Sequence, residues 1–150
     1  MTKVLEYNLN INIDEKFPFL PVLHDNKIDE IKIENNTFVI ISNDVANHDD
    51  DSSSFTGMKS KSVRVEFINN EFGTDMGVNV MFYGKKKSNK YFSYCEEFID
   101  TFKEYDRIEM IYPMVGFRQV ALTLWGRKGK KPCNILMNIS CDKVKYTFSD

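Results

Sequence analysis

Apolar and polar residues alternate along most of the chain. Leu5, Tyr7, Leu9, Ile11 and Ile13 are separated by Glu6, Asn8, Asn10 and Asn12. A period of two puts successive side chains on opposite faces of a half-buried strand. Phe17-Pro18-Phe19-Leu20-Pro21 ends it, because proline cannot donate to a strand ladder. Ile31 and Ile33 then alternate with Glu30, Lys32 and Glu34, and Phe38-Val39-Ile40-Ile41 follows Asn35-Asn36. Asparagine tolerates positive φ, so this reads as a hairpin with a tight turn. Val63, Val65 and Phe67, followed by Val78, Val80 and Phe82, predict a second hairpin around Asn69-Asn70.

The period then changes. Tyr91, Tyr94, Cys95, Phe98, Ile99, Phe102 and Tyr105 recur at three and four residues, the spacing of one apolar helix face. Ser93 with Glu96 three places later is a capping-box pattern, so a helix is expected at about 94–105. Alternation returns at Ile108, Met110 and Tyr112, at Val120, Leu122 and Leu124, at Cys133, Ile135, Met137 and Ile139, and at Val144, Tyr146 and Phe148. About nine strands and one amphipathic helix make an α+β, mostly β, chain. The connections look hairpin-like, which predicts a curved antiparallel sheet or a two-layer sandwich. Residues 1–150 read as a single domain with a mobile acidic loop at about 43–61. A chain of this length buries about two thirds of its surface, enough for one core without staples.

Composition narrows the class. A chain 42% hydrophobic and 28% charged is not wholly disordered. It has no run of about 18 apolar residues, so no membrane span is expected. The N-terminus lacks the apolar core of a signal peptide, and a cytoplasmic location is expected. Cys95, Cys133 and Cys141 are odd in number and form no CxxC pair, which excludes a disulfide framework or zinc module. No cofactor and no resident metal are expected.

Twenty basic residues against 22 acidic ones do not describe a dedicated nucleic-acid binder. The balance is an average, however. Residues 1–60 hold 5 basic and 11 acidic side chains, and residues 61–150 hold 15 and 11. Two turns concentrate the positive charge: Lys85, Lys86, Lys87 and Lys90 in one, Arg127, Lys128, Lys130 and Lys131 in the other. If they share an end of the sheet, their fields add and attract phosphate or an acidic protein. The second turn is not a P-loop, since it lacks the Gly-Lys-Ser/Thr ending and opens a strand. Asp49, Asp50 and Asp51 form an acidic run without the alternate spacing and turn glycine of a calcium loop. His24-Asp25 is the candidate for acid–base chemistry, because histidine titrates near neutrality, but no partner nucleophile is evident. The same pair also reads as a simple turn ahead of the next strand.

The run Phe19-Leu20-Pro21-Val22-Leu23-His24-Asp25-Asn26-Lys27-Ile28-Asp29-Glu30-Ile31-Lys32-Ile33, then Asn35-Asn36 and Phe38-Val39-Ile40, with the pattern Leu-His-Asp-x-x-Ile-x-x-Ile followed by a hairpin, resembles the opening of several small bacterial β-rich families. Some of these are immunity proteins of polymorphic-toxin systems. The likeness covers roughly 20 of the 150 residues. It implies a non-enzymatic, cytoplasmic protein that occludes a partner toxin domain. The loop Asp49–Asp51 or the two basic turns would steer association, and apolar anchors would supply affinity. Two other readings stay open: nucleic-acid or phospholigand binding through loops 85–90 and 127–131, and an enzyme using His24 and Asp25.

Overall fold

The computed structural model describes residues 2–11, 15–21, 23–43, 45, 61–69, 78–83, 90–92 and 95–149. Among them are β1 (Lys3–Asn8), β2 (Glu30–Glu34), β3 (Thr37–Ser42), β4 (Ser62–Ile68), β5 (Val78–Tyr83) and β6 (Lys90–Phe92). Then come α1 (Cys95–Phe102), β7 (Arg107–Gly116), β8 (Gln119–Lys128), β9 (Lys131–Ser140) and β10 (Lys143–Ser149). The strands form two five-stranded sheets, ordered β1-β10-β4-β3-β2 and β6-β5-β9-β8-β7, with every pairing antiparallel. One hydrophobic cluster spans the inner faces of both, from Phe38, Val65, Phe67 and Tyr146 of the first to Val80, Leu122, Leu124 and Met137 of the second. The mostly β, two-layer architecture expected from the alternation is therefore what forms.

The hairpin at Asn35-Asn36 also forms, with Asn35 at φ 54° supplying the left-handed residue. The one predicted at Asn69-Asn70 does not. β4 pairs with β3 and β10, whereas β5 lies in the other sheet. Asn69 marks the crossing: it is buried, its N–H donates to Asn36 O at 3.0 Å, and its Nδ2 donates to Ser140 O at 3.2 Å. A buried amide that satisfies both layers holds the chain between them.

Three further departures have local causes. β1 stops at Asn8 rather than running to Ile13, because Leu9 turns to bridge the layers. Its N–H donates to Asp142 O and its O accepts from Arg118 N. Lys90–Phe92 pairs with β5, so Tyr91 belongs to a tenth strand and not to the helix face. The helix ends at Phe102 because the chain tightens there, with Tyr105 N–H donating to Phe102 O at 3.2 Å. That turn stacks Tyr105 on Phe82 at 5.4 Å between ring centroids, while buried Phe98 lies 5.9 Å from the same ring. The helix thus closes the core beside β5. Ser93 of the capping-box pattern lies outside the described residues.

The segment carrying Leu23 to Asp29 clasps the other flank. Asp25 N–H donates to Met110 O, Met110 N–H to Asn26 O, and Ile28 N–H to Ile108 O, all along the outer edge of β7. Asp29 N–H then donates to Ile41 O as the chain enters the first sheet. Leu23, Ile28 and Ile31 are buried as anchors. The Leu23-His24-Asp25 turn and the residues after it are, in this fold, a clasp between two sheets.

Candidate functional site

The two outer faces of the sandwich differ in chemistry. On the first sheet, Lys32, Glu34, Arg64 and Glu66 are knitted by ion pairs, with Lys32 Nζ 3.0 Å from Glu34 and Arg64 bonded to Glu34. Arg64 lies opposite Ile41 and Glu34 opposite Thr37, so the Arg64 side chain must cross β3 to reach Glu34. Val39, on the strand beneath that crossing, is buried although it faces outward. This face is a self-satisfied charge lattice. The bonds from Lys32 and Arg64 hold the Glu34 carboxyl below its usual range.

The outer face of the second sheet is mainly apolar and amide. One row across it reads Met81, Leu136, Thr123 and Tyr112; the next reads Asn79, Asn138, Ala121 and Met114. Trp125 stands beside Asn134 and Glu109 in a third row. A β-bulge makes this face. The register slips between Met110 and Tyr112, leaving Ile111 as the extra residue. Met110 lies opposite buried Leu124, but after the slip it is Pro113 that lies opposite buried Leu122. The core-facing parity therefore passes from even to odd positions. Tyr112 and Met114, which simple alternation assigns to the core with Met110, are turned outward at 54% and 66% exposure.

The clasp covers the outer edge of β7 as far as Met110, where the bulge begins. Core-facing Ile108 and Met110 point their backbone groups toward the clasp at the outer edge. Chirality keeps that relationship along a strand, so core-facing Pro113 presents its missing N–H to the same edge. Beside it the clasp segment runs antiparallel to β7. The His24 ring is 5.3 Å from Tyr112, and Pro21 and Leu23 share with Ile111 and Pro113 an apolar crevice of about 10 Å³, too small for more than one water. Just before buried Leu20 stands Phe19, 84% exposed, and the β7–β8 turn adds Phe117 at 58%. Tyr112, Met114 and Phe117 are exposed apolar side chains of β7 and its turn, and Phe17 and Phe19 are exposed in the segment that leads into the clasp.

On this clasp His24 is half-buried and Asp25 exposed, with His24 Nδ1 2.9 Å from the Asp25 carboxylate and Asp25 in a left-handed turn at φ 65°. Neither lines the crevice or the larger cleft described below. Among the described residues, no group of three or more His, Cys, Asp and Glu side chains is placed to hold a metal. Cys141 is buried beside Asp142, and burial pushes its thiol up to about 12. That is the opposite of an activated nucleophile.

Arg127, Lys128 and Lys131 flank a two-residue turn, Gly129-Lys130, that is tighter than the 127–131 loop the sequence suggests. Gly129 takes φ 62° and its N–H donates to Asp106 Oδ2 at 2.6 Å, while Lys128 Nζ lies 3.4 Å from Glu104. The tip is thus fastened to the turn after α1. Between that turn and the clasp lies a polar cleft of about 290 Å³ lined by Lys27, Asp29, Lys103, Tyr105, Asp106 and Arg107. Asp49, Asp50, Asp51, Lys85, Lys86 and Lys87 lie outside the described residues. Lys90 is described only in its backbone, opposite Phe82. Tyr83 lies opposite Asn134, so β5 ends at the end of the sheet where the 127–131 hairpin turns.

Among the described residues no helix is long and apolar enough to cross a membrane. No family model matches the chain, and no curated protein or solved structure shows significant similarity to it.

Proposed function

We propose that this chain is a non-enzymatic binding domain that docks a partner protein on the flank built around β7. The observation that carries the reading is the outward turn of Tyr112 and Met114 by the β-bulge, with exposed Phe117 in the turn that follows the same strand. Contiguous apolar side chains left facing water mark interaction surfaces, and aromatic and methionine side chains are enriched at interface centres. A bulge that re-aims side chains is a feature of the fold and not a defect.

The likeness of the Leu23–Ile31 run to openings found among toxin-immunity proteins suggests what kind of binder this is. An immunity protein blocks its toxin by occupying it, which needs a rigid complementary face and no chemistry. Ten strands around one core, clasped at Asn26 and Met110, supply such rigidity.

The test is capture of the partner by the tagged chain from a native lysate, identification by mass spectrometry, and titration with purified components. Tyr112→Asp and Met114→Asp should each weaken that complex by about 2 kcal/mol or more, as central anchors do. For an immunity role, the partner alone should arrest growth and co-expression with the chain should restore it. A partner whose affinity ignores both substitutions would overturn the site. A partner that is harmless alone would overturn the immunity reading.

A further inference from the structure

We propose that the end of the second sheet bearing Arg107 and Arg127 receives a carboxylate-rich segment of the same partner protein; this rests on the binding reading above and specifies its partner as acidic. Arg107 and Arg127 are directly opposite one another on the outer faces of β7 and β8. Like charges in that position are destabilising unless something neutralises them. Glu109 takes Arg107 through Nε at 2.5 Å, and among the described residues no carboxylate pairs with Arg127. A guanidinium at an exposed sheet end, with its fork geometry, suits bidentate capture of a carboxylate.

The surroundings reinforce the pair. The cleft, the hairpin tip and their ion-pair partners bring together Lys27, Lys103, Arg107, Arg127, Lys128, Lys130 and Lys131. Against these seven cations stand the four carboxylates Asp29, Glu104, Asp106 and Glu109, which leaves a local surplus of three positive charges on a chain of net charge -2. Three of the four carboxylates already accept bonds within the fold: Asp29 from Asn43 N–H at 2.6 Å, Asp106 from Gly129 N–H and Glu109 from Arg107. Lys27 and Lys128 also pair with Asp29 and Glu104, at 3.7 and 3.4 Å, so that Arg127, Lys130 and Lys131 are the tip cations with no carboxylate partner among the described residues.

Position selects the occupant. Thr123, Trp125 and Arg127 share the outer face of β8, and four residues of strand span about 13 Å. An interface of ordinary size covers about 800 Å² per partner, a patch about 30 Å across. One protein seated on Tyr112 and Met114 therefore reaches Arg127 as well, with an apolar centre and a charged rim. A nucleic acid would use the same arginines with Trp125 as a stacking platform. It would gain nothing from the apolar centre, and the negative charge of the chain as a whole opposes it.

The test uses the full chain and two fluorescein-labelled probes in anisotropy titrations: a ten-residue glutamate peptide and a ten-nucleotide single-stranded DNA. The peptide should bind at low salt and weaken about tenfold or more when salt is raised through the range where exposed charges are screened. Arg107→Gln with Arg127→Gln should reduce its affinity about tenfold, and Lys130→Gln with Lys131→Gln, at the exposed tip, should reduce it less. Tyr112→Asp should not weaken it by more than its added charge does in a Thr123→Asp control. Absence of peptide binding at low salt, or binding that ignores the arginine pair in a variant of unchanged thermal midpoint, overturns the inference. Tighter binding of the DNA overturns it in favour of nucleic acid. In each of these cases the captured partner's sensitivity to Met114→Asp still decides the binding reading separately.

Discussion

Arg118 Nε donates to Asp142 Oδ1 at 2.8 Å across the junction between the two layers. Arg118 is in the β7–β8 turn of the second sheet, and Asp142 is where the chain passes from β9 to β10 in the first. The side chains are 19% and 10% exposed, so the pair is largely removed from water. Backbone bonds converge there too, with Arg118 N–H donating to Leu9 O and Cys141 N–H to Arg118 O. Removing one partner leaves the other charge poorly solvated, which costs about 3 kcal/mol or more. Asp142→Ala should lower stability by that order in urea unfolding. Arg118 has φ 53°, a conformation that costs a non-glycine residue about 1 kcal/mol. Arg118→Gly should therefore be less damaging than Arg118→Ala by about that amount, although both lose the ion pair.

Ser42 presents the opposite imbalance. It lies opposite Val63 at the end of β3, fully buried, and its Oγ has no hydrogen-bond partner among the described residues. A buried hydroxyl without a partner forfeits its hydration and gains nothing in exchange. Ser42→Ala should raise stability by about 1 kcal/mol, seen as a higher urea midpoint at unchanged slope. A fall in the midpoint would mean that the hydroxyl is bonded.

Alternation is enough to find nine of the ten strands among the described residues, since each face choice recurs every second residue and needs no knowledge of the partner. It failed at Lys90–Phe92, where a three-residue strand is too short to show a period and its tyrosine matches helical spacing by chance. It failed again at Tyr112. Nothing local distinguishes a regular strand from one with an extra residue at Ile111; only the cross-strand register with Thr123 and Leu122 does. That one slip hid the apolar flank, so the site was less legible than the fold. Pro113 was the available signal, because a proline late in an alternating run demotes it to an edge. The Arg107–Arg127 opposition was equally hidden, being set by pairing across residues 20 apart.

Gly126 shows how tightly the helix end is fitted. It faces the core near the end of β8, and a Cβ there would lie 3.1 Å from Ile135 Cδ1 and 3.2 Å from the Tyr105 ring. Such contacts force a neighbour to move, and overpacking of this kind costs about 1–3 kcal/mol. Gly126→Ala should destabilise within that range. Since Tyr105 stacks on Phe82, the displaced ring should also alter the near-ultraviolet circular dichroism of the folded protein. Gly129→Ala should cost about 1 kcal/mol for a different reason: it has open space around it but holds φ 62°.

Alkaline conditions should weaken the fold before neutral or mildly acidic ones do. Burial, helped by Asp142, pushes the Cys141 thiol up from 9.0 to about 12, and burial, helped by Cys133, pushes the Tyr105 hydroxyl up from 10.0 to about 12. Tyr146, fully enclosed, is raised by burial and further by Tyr7 and Cys141. Each group ionises more readily in the unfolded chain than in the folded one. As pH rises through the unfolded value the unfolded state sheds protons that the native state retains, so stability falls. The contribution is complete below about pH 8.5 and declines at up to about 1.4 kcal/mol per pH unit for each fully separated group. The urea midpoint should be flat from pH 7 to 8 and drop progressively between pH 9 and 11. Cys141→Ala should remove the earliest part of that decline, because the thiol has the lowest unfolded value of the three. An unchanged slope at pH 9 in that variant would show that Cys141 is not the group responsible.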